Sequence, residues 1–531
     1  MNILAIWIFS HDPNMTVSVN GEILEVLELE RMFGVKNAEP LTNKVRCIEM
    51  AKNYLMERHH IKYFDLLILN PMDMIHLVKD FGLSSNIEVC KFFNADKYLF
   101  VNHHHAHAAV SFYQSDFQKT RACTFDGAGN DGRFIIFDCD REKGIKKISD
   151  LNLNDYALGN RYSEFGRYCT SIKRNPHDLN PSNFLSLEGF LQYPGKLMGL
   201  ASYGTPKEEW LPAFKEYYSG TLFDPVNNKY PQLKEACGLP DEYSGQVEAD
   251  IIATAQRAFE LVFEDLAEPF FVGHDRMVLS GGCALNITNN ERQRKKRDVF
   301  VPPNPHDGGL SLGFMLDYLK PTKPFDSTYM GPRVWDYNQL PEYVNKYNAK
   351  ELNLKELVTD LINGKIIGVV RGGSEVGPRA LGNRSILCHA AIPDMKDILN
   401  KKVKNRESYR PFAPLCRLDE SSTFFETNSR RNDDHRWMSF SPKVRQEYKE
   451  KLKCITHVDG TARLQTVNEY QNHWLYSLFA VFVEMHDYPV LLNTSFNIAG
   501  KPILNSYKDA VWMLENTQMD GLILEDYYIK K

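Results

Sequence analysis

The sequence predicts an α/β protein of two domains, on three observations. Short apolar runs of strand length alternate with longer segments whose apolar residues recur at helical spacing. The chain has 531 residues, more than one hydrophobic core organises. A Pro-rich, irregular stretch at 321–336 (PTKPFDSTYMGPRVWD) divides it, and the character of the loops changes beyond that point. The expected domains are 1–330 and 340–531.

Composition narrows the class. Hydrophobic content of 43% and charged content of 25% are those of an ordinary globular protein. Lys and Arg number 63 against 68 Asp and Glu, and the net charge of −5 argues against a nucleic-acid partner. The ten cysteines are scattered with no CxxC, as reduced cytoplasmic thiols are. MNILAIWIFSHD is apolar but has no basic leader or cleavage site, so it reads as a first strand. No apolar run approaches membrane-spanning length, so the expectation is a cytoplasmic protein without a membrane partner.

Along the chain, NILAIWIFS is a buried strand, HDPN a turn, and TVSV and GEILEVLEL two strands joined by Asn20-Gly21, a strong hairpin signal. A strand, a turn with an acid (Asp12) and a hairpin is how sugar-kinase and actin-type folds begin, with that first loop facing nucleotide phosphates. An amphipathic helix over 43–58 and a strand over 61–70 follow. HHHAHAAVSFY then reads as helix, and at a spacing of four His103 and His107 leave one face of it. RACTF is a short buried strand ended by Asp126, with Gly127 and Gly129. A carboxylate at a strand end can ligate a cation while glycines bring backbone close.

FIIFDCD is a further strand. GKLMGLASYG (195–204) reads as a helix packed closely through its glycines. A long amphipathic helix is expected over 250–272, then a strand, RMVLS, feeding Gly281, Gly282 and Asn286. Glycines between a strand and a helix let backbone approach a nucleotide. The basic run 292–297 (RQRKKR) reads as a solvated helix end. In VFVPPNPHDGGLSLG, Asp307 again follows a strand and precedes a Gly-rich helix start. Asp126 and Asp307 with the His pair make a mixed N/O set that suits Fe(II), Mn or Zn better than Mg or Ca.

Beyond the linker, 355–363 is helical, KIIGVV is a strand, and RGGSEVGPRALGNRSIL puts Arg379 and Arg384 in Gly-rich loop sequence. Lys404, Arg406 and Arg410 follow, then Arg463, then Asn493, Thr494, Ser495 and Asn497 after another buried strand. Cations spread over several strand-end loops, beside Gly, Ser and Asn, describe an anion pocket. Arg grips planar oxyanions through paired hydrogen bonds and Lys adds a point charge.

HHHAHA, TFDGAGNDG, GKLMGLASYG, LSGGCALN, VPPNPHDGG, GPRALGNRSIL, RESYRPFAP, HVDGTARLQTV and LNTSFN, in this order, resemble the O-carbamoyltransferases over nearly the whole chain. The resemblance implies an N-terminal actin/hexokinase-type (ASKHA) domain with duplicated RNase H-like subdomains, similar to the threonylcarbamoyl-transfer subunit, and a C-terminal YrdC-like α/β domain. It implies that the second domain forms carbamoyl adenylate and pyrophosphate from carbamoyl phosphate and Mg-ATP, and that a hydroxyl of a small-molecule acceptor takes the carbamoyl group in the first. Carried over by position, His103, His107, Asp126 and Asp307 are metal ligands; His11 of the His11-Asp12 pair is the general base; Gly281, Gly282 and Asn286 contact the nucleotide. Arg379, Arg384, Lys404, Arg410, Arg463, Asn493 and Ser495 line the carbamoyl-phosphate and adenylate pocket.

The sequence departs from relatives after HD, where HDPNMTV replaces small residues, and before GPRAL, where Ser374, Glu375 and Val376 stand and Glu375 keeps the acid. The acceptor side is therefore the least defined. The aromatics of 150–195 (Tyr162, Phe165, Tyr168, Phe184, Tyr193) are a candidate acceptor wall, with burial in the core as the competing assignment. A tRNA-directed threonylcarbamoyl-type transferase is the alternative, disfavoured by the acidic charge; a homodimer is the one assembly entertained.

Overall fold

The computed structural model of the protein describes residues 1–38, 44–149, 156–172, 187–219, 229–404, 407–427, 435–497 and 500–531. The chain divides into two compact units, Met1–Ser327 and Thr328–Lys531.

In the first unit β1 (Asn2–Trp7) is apolar at almost every position and lies at the centre of a sheet ordered β3-β2-β1-β4-β5. β2 (Asn14–Val19) and β3 (Glu22–Glu28) form the expected hairpin, closed by Asn20 and Gly21 at φ of 52° and 85°. β4 (Leu66–Leu69) runs parallel to β1, and β5 (Tyr98–Phe100) parallel to β4.

A second sheet repeats this plan. β6 (Lys119–Gly129), β7 (Gly132–Asp140) and β8 (Gly144–Lys147) form an antiparallel meander, and β9 (Arg276–Ser280) and β10 (Asp298–Phe300) add parallel strands in the order β10-β9-β6-β7-β8. Order and strand senses match those of the first sheet, which is the duplicated RNase H-like plan of actin/hexokinase folds. A helix follows the last strand of each repeat, His103–Phe112 and Leu310–Leu319. These two helices pack so closely that a Cβ on Gly313 would lie 2.3 Å from the Ala106 carbonyl oxygen.

Several sequence expectations change. The strand expected over 61–70 shortens to Leu66–Leu69, and at its far end Asn70 already caps the next helix through Met72 N. The helix expected over 250–272 runs Gly245–Ala267 and ends where Pro269 enters the following turn. In the Leu187–Ala201 helix the close approach comes just past its end: a Cβ on Gly204 would meet Ala249 O at 2.0 Å, whereas Gly195 faces open space.

Most of the basic run at 292–297 is paired, with Lys295 left exposed. Arg292 pairs with Glu264 at 2.6 Å, Lys296 with Glu264 and Glu268, and Arg297 with Glu268, while the buried Arg294 pairs with Glu291. Carboxylates of the preceding helix claim the cations that sequence alone leaves in water.

For the aromatic segment the core assignment holds. Tyr162, Phe165 and Tyr193 are buried, Phe165 stacks on Phe214 with centroids 5.5 Å apart, and Tyr168 stacks on Tyr230 at 4.2 Å. They build the core of this region rather than an acceptor wall; Phe184 lies outside the described residues.

The second unit is an eight-stranded mixed sheet, ordered β11-β18-β17-β12-β13-β16-β14-β15. In chain order its strands are β11 (Lys350–Glu351), β12 (Ile367–Val370), β13 (Arg384–His389), β14 (Ala413–Arg417), β15 (Gln465–Val467), β16 (Leu491–Ser495), β17 (Gly521–Leu524) and β18 (Tyr527–Lys530). Leu357, Leu361, Leu475 and Phe479 from helices Leu354–Ile362 and His473–Met485 pack in one apolar cluster, and Tyr507, Val511 and Leu514 from helix Tyr507–Asn516 pack in another. Register sets the chemistry. Val370 pairs with Arg384, Ser385 with Ser495, Ala413 with Asn493 and Leu415 with Gln465, so the loops after β12 and β16 and before β14 and β15 open at one end of the sheet.

Candidate active site

Four segments of the first unit bring His103, His107, Asp126 and Asp307 together, with one donor atom from each lying within 4.8 Å of all the others. The His residues come from the first turns of His103–Phe112, Asp126 from β6, and Asp307 from the short turn that opens Leu310–Leu319. The duplication explains the meeting point, because the two helices occupy equivalent places in the two repeats and start side by side.

The His103 and His107 Nε2 atoms face each other at 3.1 Å. Asp126 Oδ2 lies 3.0 Å from His107 Nε2 and 3.8 Å from His103 Nε2; Asp307 Oδ1 lies 3.4 and 3.5 Å from the same atoms. The Nδ1 atoms of both histidines and Oδ1 of Asp307 are buried without a hydrogen-bond partner. Burial pulls the His107 imidazole down, but Asp126 and Asp307 outweigh it and raise its pKa to about 9. Asp126 is held well below the carboxylate range: burial raises it, and hydrogen bonds from His103 and His107 more than offset that. Two imidazole nitrogens and two carboxylates converging in a buried site form a donor set able to hold a divalent cation.

The neighbours fix this cluster. Asn130 Oδ1 accepts from His103 N and Asp131 Oδ1 from His104 N, each at 3.0 Å, so the turn after β6 caps the histidine helix. His104 is locked between Thr124 Oγ1 and Gly132 O at 2.8 and 2.9 Å. A Cβ on Gly129 would come within 2.9 Å of the His103 and His104 rings. Asn14 Nδ2 donates to Asp307 O at 2.8 Å, and its Oδ1 accepts from Ser311 N, stitching the first hairpin to the start of the Asp307 helix. Sequence reasoning misses all of these supports; the Asn-Asp pair before Gly132 is the signal that could have found the caps.

His11 stands beside the cluster. Its Nδ1 lies 2.9 Å from Asp12 Oδ2 and its Nε2 3.9 Å from Asp307 Oδ2. Asp12 has a positive φ of 53° and is held by Asn37, whose Nδ2 donates to Oδ1 at 2.9 Å. Burial lowers the His11 pKa, but Asp307, Asp12 and Asp126 together raise it to about 10. A cation held by Asp126 and Asp307 would offset those charges and lower it again.

Gly281, Gly282 and Asn286 lie just behind Asp126. Gly281 takes φ 93°, and a Cβ there would strike Phe125 O at 2.2 Å; Gly282 N donates to Asp126 Oδ2 at 2.9 Å. Asn286 caps the helix Ile287–Arg294 through Asn289 N. The Gly282 hydrogen bond supports the Asp126 carboxylate, while the Asn286 side chain also exchanges hydrogen bonds with Gln256.

In the second unit the remaining candidates gather at the open end of the sheet. Lys404 Nζ donates to Ser495 O at 2.7 Å, Asn497 O at 3.0 Å and Asn497 Oδ1 at 2.7 Å. Ser495 Oγ donates to Asn497 Oδ1 at 2.7 Å. Asn493 Nδ2 donates to Ala380 O and to Gln465 Oε1, which ties the β16 end to the loop carrying Arg379. Arg463 immediately precedes Leu464 and β15, and Arg410 lies 3.6 Å from Glu407. Arg379 is half-buried, and burial together with the nearby Arg410 charge lowers its pKa to about 10. Arg406 lies outside the described residues.

Arg384 is a correction. It opens β13 instead of lying in a loop, and its guanidinium is fully buried. Nη1 donates to Arg371 O and Asn383 O, Nη2 to Gly372 O, and Nε to Asn505 Oδ1. These donors hold the loop together and are not directed at a ligand. Glu375, also fully buried, accepts from Leu381 N, Asn383 N and Arg384 N at 2.7–3.0 Å through one oxygen, and so folds the Arg379 loop from inside.

Comparison with known proteins agrees with this division. Residues 40–316 match the carbamoyltransferase N-terminus and residues 358–531 the carbamoyltransferase C-terminus. Nodulation protein NolNO of Sinorhizobium fredii is 30% identical over 98% of this chain and 79% of its own length. NolO of Bradyrhizobium diazoefficiens is 32% identical over 81% of this chain and 79% of its own. The 3'-hydroxymethylcephem-O-carbamoyltransferase of Streptomyces clavuligerus is 31% identical over 64% of each chain. The chain thus belongs to the carbamoyltransferase family.

Proposed function

We propose that this enzyme works in two half-reactions, one in each unit, and that its acceptor is a small molecule with a free hydroxyl. The observation that carries the division is the pair of polar clusters: a His/Asp donor set beside His11 in one unit, and a group of cations at one sheet end in the other.

In the second unit, read as YrdC-like, Arg379, Arg410 and Arg463 offset the mutual repulsion of carbamoyl phosphate and ATP, and Lys404 holds the loop after β16 beside them. Inorganic phosphate leaves carbamoyl phosphate with consumption of one water. The resulting carbamate oxygen attacks the α-phosphorus of ATP and pyrophosphate departs, leaving carbamoyl adenylate. Arg379 suits this task because burial beside Arg410 leaves it under a repulsion that an anion relieves. Asn493 and Ser495 hold the pocket wall.

In the first unit, Gly281, Gly282 and Asn286 receive the nucleotide part of the adenylate. His103, His107, Asp126 and Asp307 fit a divalent cation, Fe(II), Mn or Zn, on the convergence of two Nε2 atoms and two carboxylates. When bound it would act as a Lewis acid on an adenylate oxygen. His11, oriented by Asp12, takes the proton of the acceptor hydroxyl as its oxygen attacks the carbamoyl carbon and AMP leaves; this role rests on its position beside the donor set.

The test is incubation with ATP, carbamoyl phosphate and a divalent metal, without acceptor, followed by assay of pyrophosphate and carbamoyl adenylate. Formation of both supports the first half-reaction; silence after metal supplementation sinks it. Arg463→Ala should abolish pyrophosphate release, whereas His11→Ala should spare adenylate formation and stop transfer. Equal loss of both half-reactions in His11→Ala would overturn the division of labour.

A further inference from the structure

A line of buried hydrogen bonds joins the segment that enters His11 to the start of the His103 helix. β1 ends at Trp7, and beyond it Ile8 N and Phe9 N both donate to Asp73 Oδ1 at 2.8 Å. In an extended strand successive amides point to opposite sides, so two that converge on one oxygen mark a bend. A charged oxygen holds such a pair more strongly than a carbonyl would. Asp73 Oδ2 accepts from Asn70 N at 2.9 Å. Asn70 Nδ2 in turn donates to Asn130 Oδ1 at 2.8 Å, and that same oxygen accepts from His103 N.

Asn70 and Asp73 are both fully buried. Asn70 Oδ1 caps the helix Pro71–Asp80 through Met72 N, and Nδ2 also donates to Val101 O at 3.0 Å, two residues before His103. Serine or aspartate would cap that helix as well as asparagine does. The amide group is therefore required only by the two bonds it sends toward the His103 helix, one of them to the β6–β7 turn of the other repeat. Trp7 makes the same connection from the other side: its Nε1 donates to His11 O at 3.1 Å, and its ring meets the His103 ring edge to face at 5.2 Å.

We propose that Asn70 and Asp73 are positioning residues for the transfer site, holding the His11 segment and the His103 helix start in one fixed arrangement so that base and donor set keep their separation. This rests on the reading of His103, His107, Asp126 and Asp307 as metal ligands. The two residues touch no ligand; they act through Ile8 and Phe9 at one end and through Asn130 at the other. Each bond is buried, where a lost partner costs most. Partners outside the ligand shell set the orientation of the ligands within it.

Cobalt(II) titration of the full chain, followed by its visible spectrum, tests this without carbamoyl chemistry. Asn70→Ser keeps the cap on Met72 N but no longer reaches Asn130 or Val101, and should weaken Co(II) binding about fivefold or more. Asp73→Asn keeps an oxygen for Ile8 and Phe9 but turns an amide group toward Asn70 N. It should weaken binding less, and should add little in the Asn70→Ser background, because both lie on one path. Ile68→Val, in the core of β4, controls for lost stability alone and should bind Co(II) as the wild type does. Wild-type affinity in Asn70→Ser, an equal loss in Ile68→Val, or additive losses in the double variant would overturn the proposal. Hydrogen exchange on the metal-free protein separates it from the reading beneath it. Exchange across 101–107 should quicken in Asn70→Ser, and unchanged exchange there would overturn the tie. Absence of Co(II) uptake by the wild type would instead sink the donor-set reading.

Discussion

The two polar clusters differ in where their donors point. In the first unit the side chains face one another: two imidazole Nε2 atoms 3.1 Å apart, carboxylates 3.0–3.8 Å away, and a buried Asp307 oxygen with no hydrogen bond. In the second unit Arg384 and Lys404 face main-chain carbonyls, and Glu375 faces main-chain amides. The first arrangement is built around a place for something else; much of the second holds a loop in shape so that Arg379 is presented. Residue type therefore does not separate a ligand group from a scaffold group, whereas the direction its donors and acceptors face does.

The largest expected effect tests the first cluster. Asp126→Asn should lower bound metal, read by elemental analysis, and cut carbamoyl transfer by at least about 100-fold, while acceptor-free pyrophosphate release continues. Retention of both metal and transfer would break the comparison at its root. Next, Arg384→Ala should destabilise the second unit by about 3 kcal/mol or more in denaturant unfolding, since several buried carbonyls lose their donor. Arg379→Ala should leave stability within about 0.5 kcal/mol and abolish pyrophosphate release. If the two variants behaved alike, the distinction between scaffold and ligand arginines would fall.

His389 gives a comparable effect in the scaffold. Burial, together with His486, lowers its pKa from 6.5 to about 4 while its Nε2 lies 3.0 Å from Tyr488 O. The folded imidazole binds a proton less tightly than the unfolded one. Its contribution is therefore complete above pH 6.5 and is lost as pH falls towards 4, by up to about 3 kcal/mol. Unfolding of wild type and His389→Leu across that window should show a slope that the variant lacks. The smallest effect is expected for Asn130→Ala, which removes a cap from His103 N: about 1 kcal/mol of stability and about tenfold in metal affinity, measured by thermal melts and metal titration.

Some of this is legible in the chain without its fold. The spacing of four between His103 and His107 becomes one helix face, and Asp126 and Asp307 lie beside the glycine-rich turns where the sequence suggests ligand groups. Asn20-Gly21 closes the hairpin as its φ preferences require. Arg384 is misplaced by sequence because GPRALGNRSIL is glycine-rich and reads as loop, yet its last residues pair along β12 and β16. The basic run at 292–297 is misplaced because its partners, Glu264 and Glu268, are more than twenty residues earlier on another helix. The caps Asn130 and Asp131, and the stitch made by Asn14, depend on contacts of the same non-local kind.

By itself the sequence determined the local chemistry: which stretches are strands and helices, where turns need Asn or Gly, and which side chains can ligate or carry charge. Periodicity and turn propensity act over a few residues, so they survive without a structure. Only the tertiary structure decided which of those groups share a site and which are consumed inside the fold. Two repeats with the same strand order bring two helix starts together around four donors, and one sheet register gathers the cationic loops. The physical reason is that a buried polar group must find partners wherever the fold places them, and those partners are set by packing between segments far apart in the chain.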